Sequence, residues 1–187
     1  MKKLQNLAWI DLEMTGLVPE KDVIVEIASI VTDKDLNIIA EGPNFIIYQP
    51  DAELIKMEDF VKNLHTKSGL LPLISSSTTT IQEAEMETIK FFDEFCFAGV
   101  VPLCGNSIWQ DRRFLRQHMP RLDNFFNYRI IDVSSVKEII KRWYPNSPQL
   151  DFQKKEMHRA LSDIRESIAE LSYYKRNFFI NEGNDEE

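Results

Sequence analysis

Sulfur, glycine and long apolar runs are scarce in this chain of 187 residues. It has two cysteines, six glycines and eight prolines. Cys96 and Cys104 form no CxxC pair, so neither a disulfide framework nor a thiol metal knuckle is expected, and the cysteine usage suits a reducing compartment. So little glycine and proline excludes collagen-like and low-complexity architecture. No apolar run reaches the roughly 18 residues of a membrane span. Lys2 and Lys3 precede Leu4, but Gln5, Asn6 and Asp11 interrupt the apolar stretch after them and no small-residue cleavage site appears, so no signal peptide is expected. The chain also lacks a GxxxxGK phosphate loop, a Gly-x-Ser-x-Gly elbow and a GxGxxG turn, which removes three common chemistries.

The chain has an ordinary globular composition, 43% hydrophobic and 28% charged. The length predicts a single domain over residues 1–180, followed by an acidic tail, 181–187, expected to be disordered. Net charge is −8, which argues against a general DNA-coating protein. The charge is uneven. Residues 1–110 carry 8 basic and 17 acidic side chains, whereas residues 111–159 carry 11 and 6. A basic stretch inside an acidic chain suits a local anion site, or simply a solvated helix face.

Hydrophobic patterning predicts strands at Leu7–Glu13, Val23–Val31, Leu36–Ile39 and Phe45–Tyr48, with a bulge or bend at Gly42-Pro43. Short strands are predicted at Val100–Cys104 and Tyr128–Val133. Helices are predicted over 51–63, from a Thr80/Glu83 capping box past Phe95, at Gln110–Met119 up to Pro120, from a Ser135/Glu138 capping box to before Pro145, and to about Phe178. Strands first, then alternating strand and helix, predict an α/β fold: a mixed sheet with helices on its faces.

Asp11-Leu12-Glu13 is the central chemical feature. On a strand, residues i and i+2 share a face, so the two carboxylates stand side by side beside the bulky Trp9, Ile10 and Leu12. Such an arrangement can be a solvated edge, or it can hold a hard divalent cation. Two more acids, Asp111 and Asp163, fall in first turns of predicted helices, where the helix dipole alone could explain them. His158 precedes Asp163 by five residues, about 140° around a helix, so the two share a site only if His158 lies before the helix proper. Four acids and one histidine suit a two-metal phosphodiester hydrolase, with the imidazole taking a proton from water.

The order Asp-x-Glu, Asp, His-x-x-x-x-Asp resembles the DEDDh exonucleases. Four longer motifs, Asp11–Leu17, Cys104–Leu115, Tyr128–Ser134 and His158–Ser167, resemble the oligoribonucleases from about Leu7 to Phe178. The resemblance implies an RNase H-like, five-stranded mixed sheet flanked by helices. It implies a homodimeric 3′→5′ exoribonuclease that completes RNA decay, and the cysteine usage makes the cytoplasm the expected compartment. Its substrates would be single-stranded RNAs of two to five nucleotides, dinucleotides above all, with no role for membranes or long duplex DNA. By position, Asp11, Glu13, Asp111 and Asp163 would hold two divalent cations, Mg²⁺ or Mn²⁺, and His158 would be the general base. Leu17 would wedge between bases. His65 would pack on the substrate, a residue that would otherwise read as a solvated loop histidine. Ser107, Arg129 and Ser134 would cap the 5′ phosphate, a serine before a helix offering hydroxyl and amide donors. Tyr128 would reach the site from a partner subunit. Phe60 stands where many oligoribonucleases carry tryptophan, leaving less stacking area. Cys104 and His118 are expected to be structural. The competing readings are a proofreading DNA exonuclease and a noncatalytic RNA- or metal-binding module.

Overall fold

The computed structural model describes residues 2–150, 152–153 and 158–179. Among them, β1 (Leu7–Met14), β2 (Ile24–Thr32) and β3 (Ile38–Ile46) form an antiparallel meander. Four helices come next: α1 (Asp51–Leu54), α2 (Asp59–Lys67), α3 (Leu71–Ser76) and α4 (Ile81–Phe95). The chain then alternates through β4 (Leu103–Gly105), α5 (Ile108–His118), α6 (Pro120–Asp123), β5 (Ile130–Asp132), α7 (Val133–Trp143) and α8 (Ala160–Phe178). The five strands lie in the order β3-β2-β1-β4-β5, with β4 parallel to β1 and β5 parallel to β4. This is the mixed α/β sheet that the strand-then-helix pattern predicts.

Strand periodicity sorts the core into two layers. Ala8, Ile10 and Leu12 of β1 pack with Phe92 of α4 and Phe114 of α5 on one face of the sheet. Trp9 and, across the ladder, Ala28 and Ile30 meet Ile164, Ile168 and Tyr174 of α8 on the other. The same alternation puts Asp11 and Glu13 on the α8 face, two and four residues beyond Trp9. That face therefore changes from apolar to acidic as β1 nears its C-terminal end.

Several local expectations need correction. Leu36–Ile39 and Phe45–Tyr48 are not two strands; one strand, β3, runs through both and excludes Leu36, Asn37, Ile47 and Tyr48. Gly42-Pro43 lies inside it, beside a register shift at Ser29 of β2, and Ser29 Oγ donates to the Pro43 carbonyl at 3.3 Å. Proline is tolerated there because β3 is an edge strand. The helix over 51–63 is two helices, α1 and α2, and Phe60 at the start of α2 points to solvent. The Thr80/Glu83 box forms as expected, but the Ser135/Glu138 box does not. Asp132 caps α7 by accepting from the Ser134 amide at 2.9 Å, and Glu138 pairs with Arg142. Pro120 ends one helix and opens another, α6, at a position where its missing N–H costs nothing. Residues 181–187 lie outside the described residues. Among the described residues no helix is long and apolar enough to cross a membrane.

Candidate active site

The end of β1 is where the sheet brings its carboxylates together. Asp11, Glu13 and Asp163 each present an oxygen within 4.8 Å of the others. Asp163 arrives from the first turn of α8, its amide donating to the Arg159 carbonyl at 3.0 Å. His158 lies outside the helix, as the spacing argument requires, and its φ of 49° is left-handed. Asp111 comes from the opposite layer, in the first turn of α5. Its Oδ1 accepts from the Leu12 amide at 3.0 Å, which ties α5 to β1 between the two acids of the Asp-x-Glu pair. The tight three-acid cluster does not include Asp111, yet its charge bears on both Asp11 and Glu13.

Gly105 permits this approach. A Cβ there would sit 2.8 Å from Ile108 Cδ1 and 3.0 Å from the Ile10 carbonyl. Gly105→Ala is therefore expected to lower stability by about 1–3 kcal/mol through overpacking. It should also weaken Mn²⁺ binding by shifting the first turn of α5. A denaturant midpoint and a Mn²⁺ titration check the two effects separately.

The electrostatics are strongly unfavourable for bare carboxylates. Burial, then the charges of Asp163, Glu26 and Asp111, push the Glu13 carboxyl up to about 8, with Arg159 pulling the other way. Asp111 is pushed up to about 7 by burial, against the Leu12 amide, which favours its ionised form. Asp11 is raised well above the usual carboxylate range by burial and then by Asp111, Glu13 and Asp163. Anions this close and this poorly solvated ionise together only with positive charge among them. All-oxygen donors on one short strand and one helix end are what hard cations take. The residues thus fit divalent metal.

Two histidines flank the acids. His65 is fully buried, so it is not a solvated loop residue, and its ring offers no exposed surface on which a substrate could pack as the resemblance implies. Its Nε2 meets the Met14 carbonyl at 2.8 Å and so carries the proton, leaving Nδ1 as the bare nitrogen 3.8 Å from Glu13 Oε2. Burial lowers its basicity, so at neutral pH this contact is not an ion pair. His158 is close enough to His65 for its charge to oppose that of His65. His118 is structural, stacking on Phe114 with Nε2 on the Pro19 carbonyl at 2.9 Å. Cys104 is completely buried, and burial pushes its thiol far up, as suits an inert core residue.

A groove of about 870 Å³ opens beside the acids, lined by Glu13, Leu17, Lys56, Phe60 and Val61 among others. Leu17 and Phe60 are 67% and 76% exposed, two apolar side chains bordering one trough. Gln110 Nε2 donates to the Leu17 carbonyl at 2.7 Å and pins that loop to α5.

On the far side, Ser107 and Ser134 lie together, their hydroxyls 3.1 Å apart. The Ser107 amide, however, is not a spare donor: it is spent on Asp132 Oδ1 at 2.9 Å and Ser134 Oγ at 3.0 Å. Ser134 Oγ donates to Asn106 Oδ1, and Asn106 Nδ2 donates to Ser167 and Glu170. Arg129 lies over the Tyr128 ring, 4.4 Å from its centroid.

About half of the described basic residues in that stretch are consumed internally. Arg112 and Arg116 both reach Asp123, Lys137 reaches Glu170, and Arg159 reaches Glu26. Part of its charge excess thus marks packing partners and not an anion track. Sequence reasoning missed Glu26, Asn106 and Arg159. A lone glutamate inside the apolar run Val23–Val31 was the one available signal.

Known proteins resemble this chain in sequence and in fold. The family model described as an exonuclease (RNase_T) matches residues 8–171. The oligoribonuclease of Vibrio campbellii is 54% identical over 176 residues, 94% of this chain and 96% of that protein. That of Ruthia magnifica is 52% identical over 181 residues, 97% and 99% of the two chains. Among solved structures, a zinc-bound Escherichia coli exonuclease I in complex with single-stranded DNA superposes with a TM-score of 0.72 at 17% identity. It matches over 93% of this chain but only 41% of the larger enzyme.

Proposed function

This chain belongs to the oligoribonuclease family of exonucleases, and from that membership we propose that it removes 5′-mononucleotides from the 3′ end of very short single-stranded RNA in the cytoplasm, dinucleotides above all, as the last step of RNA degradation. The observation that carries the reading is the convergence of Asp11, Glu13 and Asp163 beside the groove that Leu17 and Phe60 border.

Asp11, Glu13, Asp111 and Asp163 would hold two divalent cations, Mg²⁺ or Mn²⁺. When bound, these supply a more acidic water and charge stabilisation at the phosphoryl oxygens. The raised affinities of Asp11, Glu13 and Asp111 for protons support this, because a cation replaces the protons at neutral pH. His158 takes the proton of the attacking water. Its position just outside α8 keeps it off the helix surface that Asp163 occupies. Leu17 and Phe60 grip the two bases from one wall of the groove. Phe60 does so with a smaller ring than tryptophan. His65 acts from beneath, where its buried ring supports Met14 and Glu13. Ser107, Ser134 and Arg129 receive the 5′ phosphate, arginine by a charge-assisted contact. A site closed at that phosphate leaves a longer chain no room, which favours the dinucleotide.

Tyr128 completes the site across a homodimer. The face around β5 and α7 supports that assembly: among the described residues β5 is a sheet edge, and Tyr128, Ile130, Ile139 and Trp143 beside it are exposed. A second copy covers such an edge and such apolar surface at once.

Single-turnover rates on 5′-phosphorylated RNA of two to ten nucleotides test the reading. The expected result is a steep preference for the dinucleotide that chelator abolishes. Rates flat with length would discard the phosphate cap, and cleavage of long single-stranded DNA at the dinucleotide rate would favour a general exonuclease. No cleavage at any length with metal bound would make the protein a binding module.

A further inference from the structure

We infer that the Glu26–Arg159 ion pair is a positioning device for His158, holding the base against the acidic cluster by clamping the residue next to it in the chain. This rests on His158 being the general base.

Glu26 is completely buried in β2, on the α8 face, directly opposite Glu13 in the β1–β2 register. Two like charges in facing positions oppose strand pairing, so Glu26 is a costly choice for that position unless it is compensated. Arg159 compensates it. Its Nε lies 3.1 and 3.3 Å from the two Glu26 oxygens, and its Nη2 lies 3.0 Å from Oε1. The planar guanidinium thereby has its angle as well as its distance set, which a lysine ammonium could not reproduce. Glu26 Oε2 also accepts from the Ala160 amide at 3.4 Å, at the first residue of α8.

One carboxylate of the central sheet therefore holds both the residue after His158 and the start of the helix that carries Asp163. The backbone explains why such a hold is needed. His158 is left-handed at φ 49°, a conformation unfavourable for a residue with a Cβ, and Arg159 is extended at φ −138°. That turn directs the chain into α8. With Arg159 locked to the sheet, His158 is constrained on its helix side, and its ring is delivered to the acids repeatably. Arg159 itself is a positioning residue; it holds Glu26, not substrate.

The test combines kinetics with a measurement independent of turnover. Arg159→Met is expected to lower kcat on a dinucleotide about 10–100-fold, the cost typical of losing a residue that orients a reacting group, with KM changed less than about twofold. In a His158→Ala background the same substitution should cost less than about twofold more, since the base it positions is gone. Arg159→Lys, which keeps the charge beside Glu26, should fold normally and fall between. In ¹H–¹⁵N spectra of the metal-free protein, the His158 ring signals should shift or broaden in both variants while those of His118 stay in place. An equal kcat loss with and without His158, a rise in KM at constant kcat, or an unmoved His158 signal would overturn the inference. Failure of the wild-type protein to hydrolyse RNA would instead overturn the functional reading, and the spectra would still report on the clamp.

Discussion

Replacing Asp163 with asparagine is expected to have two opposite effects. Hydrolysis of a dinucleotide should fall on the order of 10³-fold or more, because under the proposed function water activation and charge stabilisation both depend on cations that Asp163 would help to hold. The metal-free protein should become more stable, since Asp163 raises the proton affinity of both Asp11 and Glu13 through its charge. Asparagine keeps the shape and removes that repulsion. A residue retained for folding loses stability when substituted, whereas a residue retained for chemistry can gain it. Single-turnover kinetics and a thermal melt in chelator, made on the same preparation, separate the two. A variant with near-normal turnover would remove Asp163 from the metal site, and a lower melting temperature in chelator would show that its contacts outweigh its repulsion.

The stability of the metal-free protein is expected to fall as pH rises from about 5 to above 8. Glu13 has an ordinary value of 4.5 and is pushed up to about 8 in the fold, and Asp111 moves from 3.8 to about 7. Between those limits the folded chain keeps protons that the unfolded chain has released. Protons bound in excess by the native state make unfolding easier as pH increases. The contribution is thus full below the unfolded values near 4 and is lost as pH passes through 7 and then 8. The loss is on the order of a few kcal/mol, or roughly 5–10 °C in Tm for a chain of this size. Millimolar Mn²⁺ or Mg²⁺ should reverse it, and most strongly at high pH, because the cation competes with those protons. Glu13→Gln should flatten the slope in chelator. A melt independent of pH, or a metal effect as large at pH 5 as at pH 8.5, would contradict the coupling of these acids to one cation site.

Both predictions depend on groups that differ in how legible they are in the sequence. Asp11 and Glu13 need only strand periodicity: two residues apart on β1, they share a face whatever the rest of the chain does. His158 needs only helix geometry, which excludes it from the helix of Asp163 if the two act together. Ser107 and Ser134 meet in the fold, yet the Ser107 amide is not the free donor that its place before a helix suggests. Its partner, Asp132, sits on a separate strand 25 residues away. The basic stretch misleads for the same reason. A count of charges along the chain says nothing about which acids meet them across the fold, and Asp123, Glu170 and Glu26 meet several.

Local pattern by itself determined the approximate positions of β1, β2, β4 and β5, the Thr80 cap, the long final helix, the paired carboxylates and the family resemblance that assigns their chemistry; it split β3 in two. These depend on steric and hydrogen-bonding rules that act over a few residues. Tertiary structure alone decided that Glu26 stands opposite Glu13, that Arg159 answers it, that His65 lies buried beneath Glu13, that α1 and α2 are separate, and that Phe60 faces the groove. Those outcomes depend on ladder register and on which layer each helix covers, and both are settled by burial summed over the whole sheet.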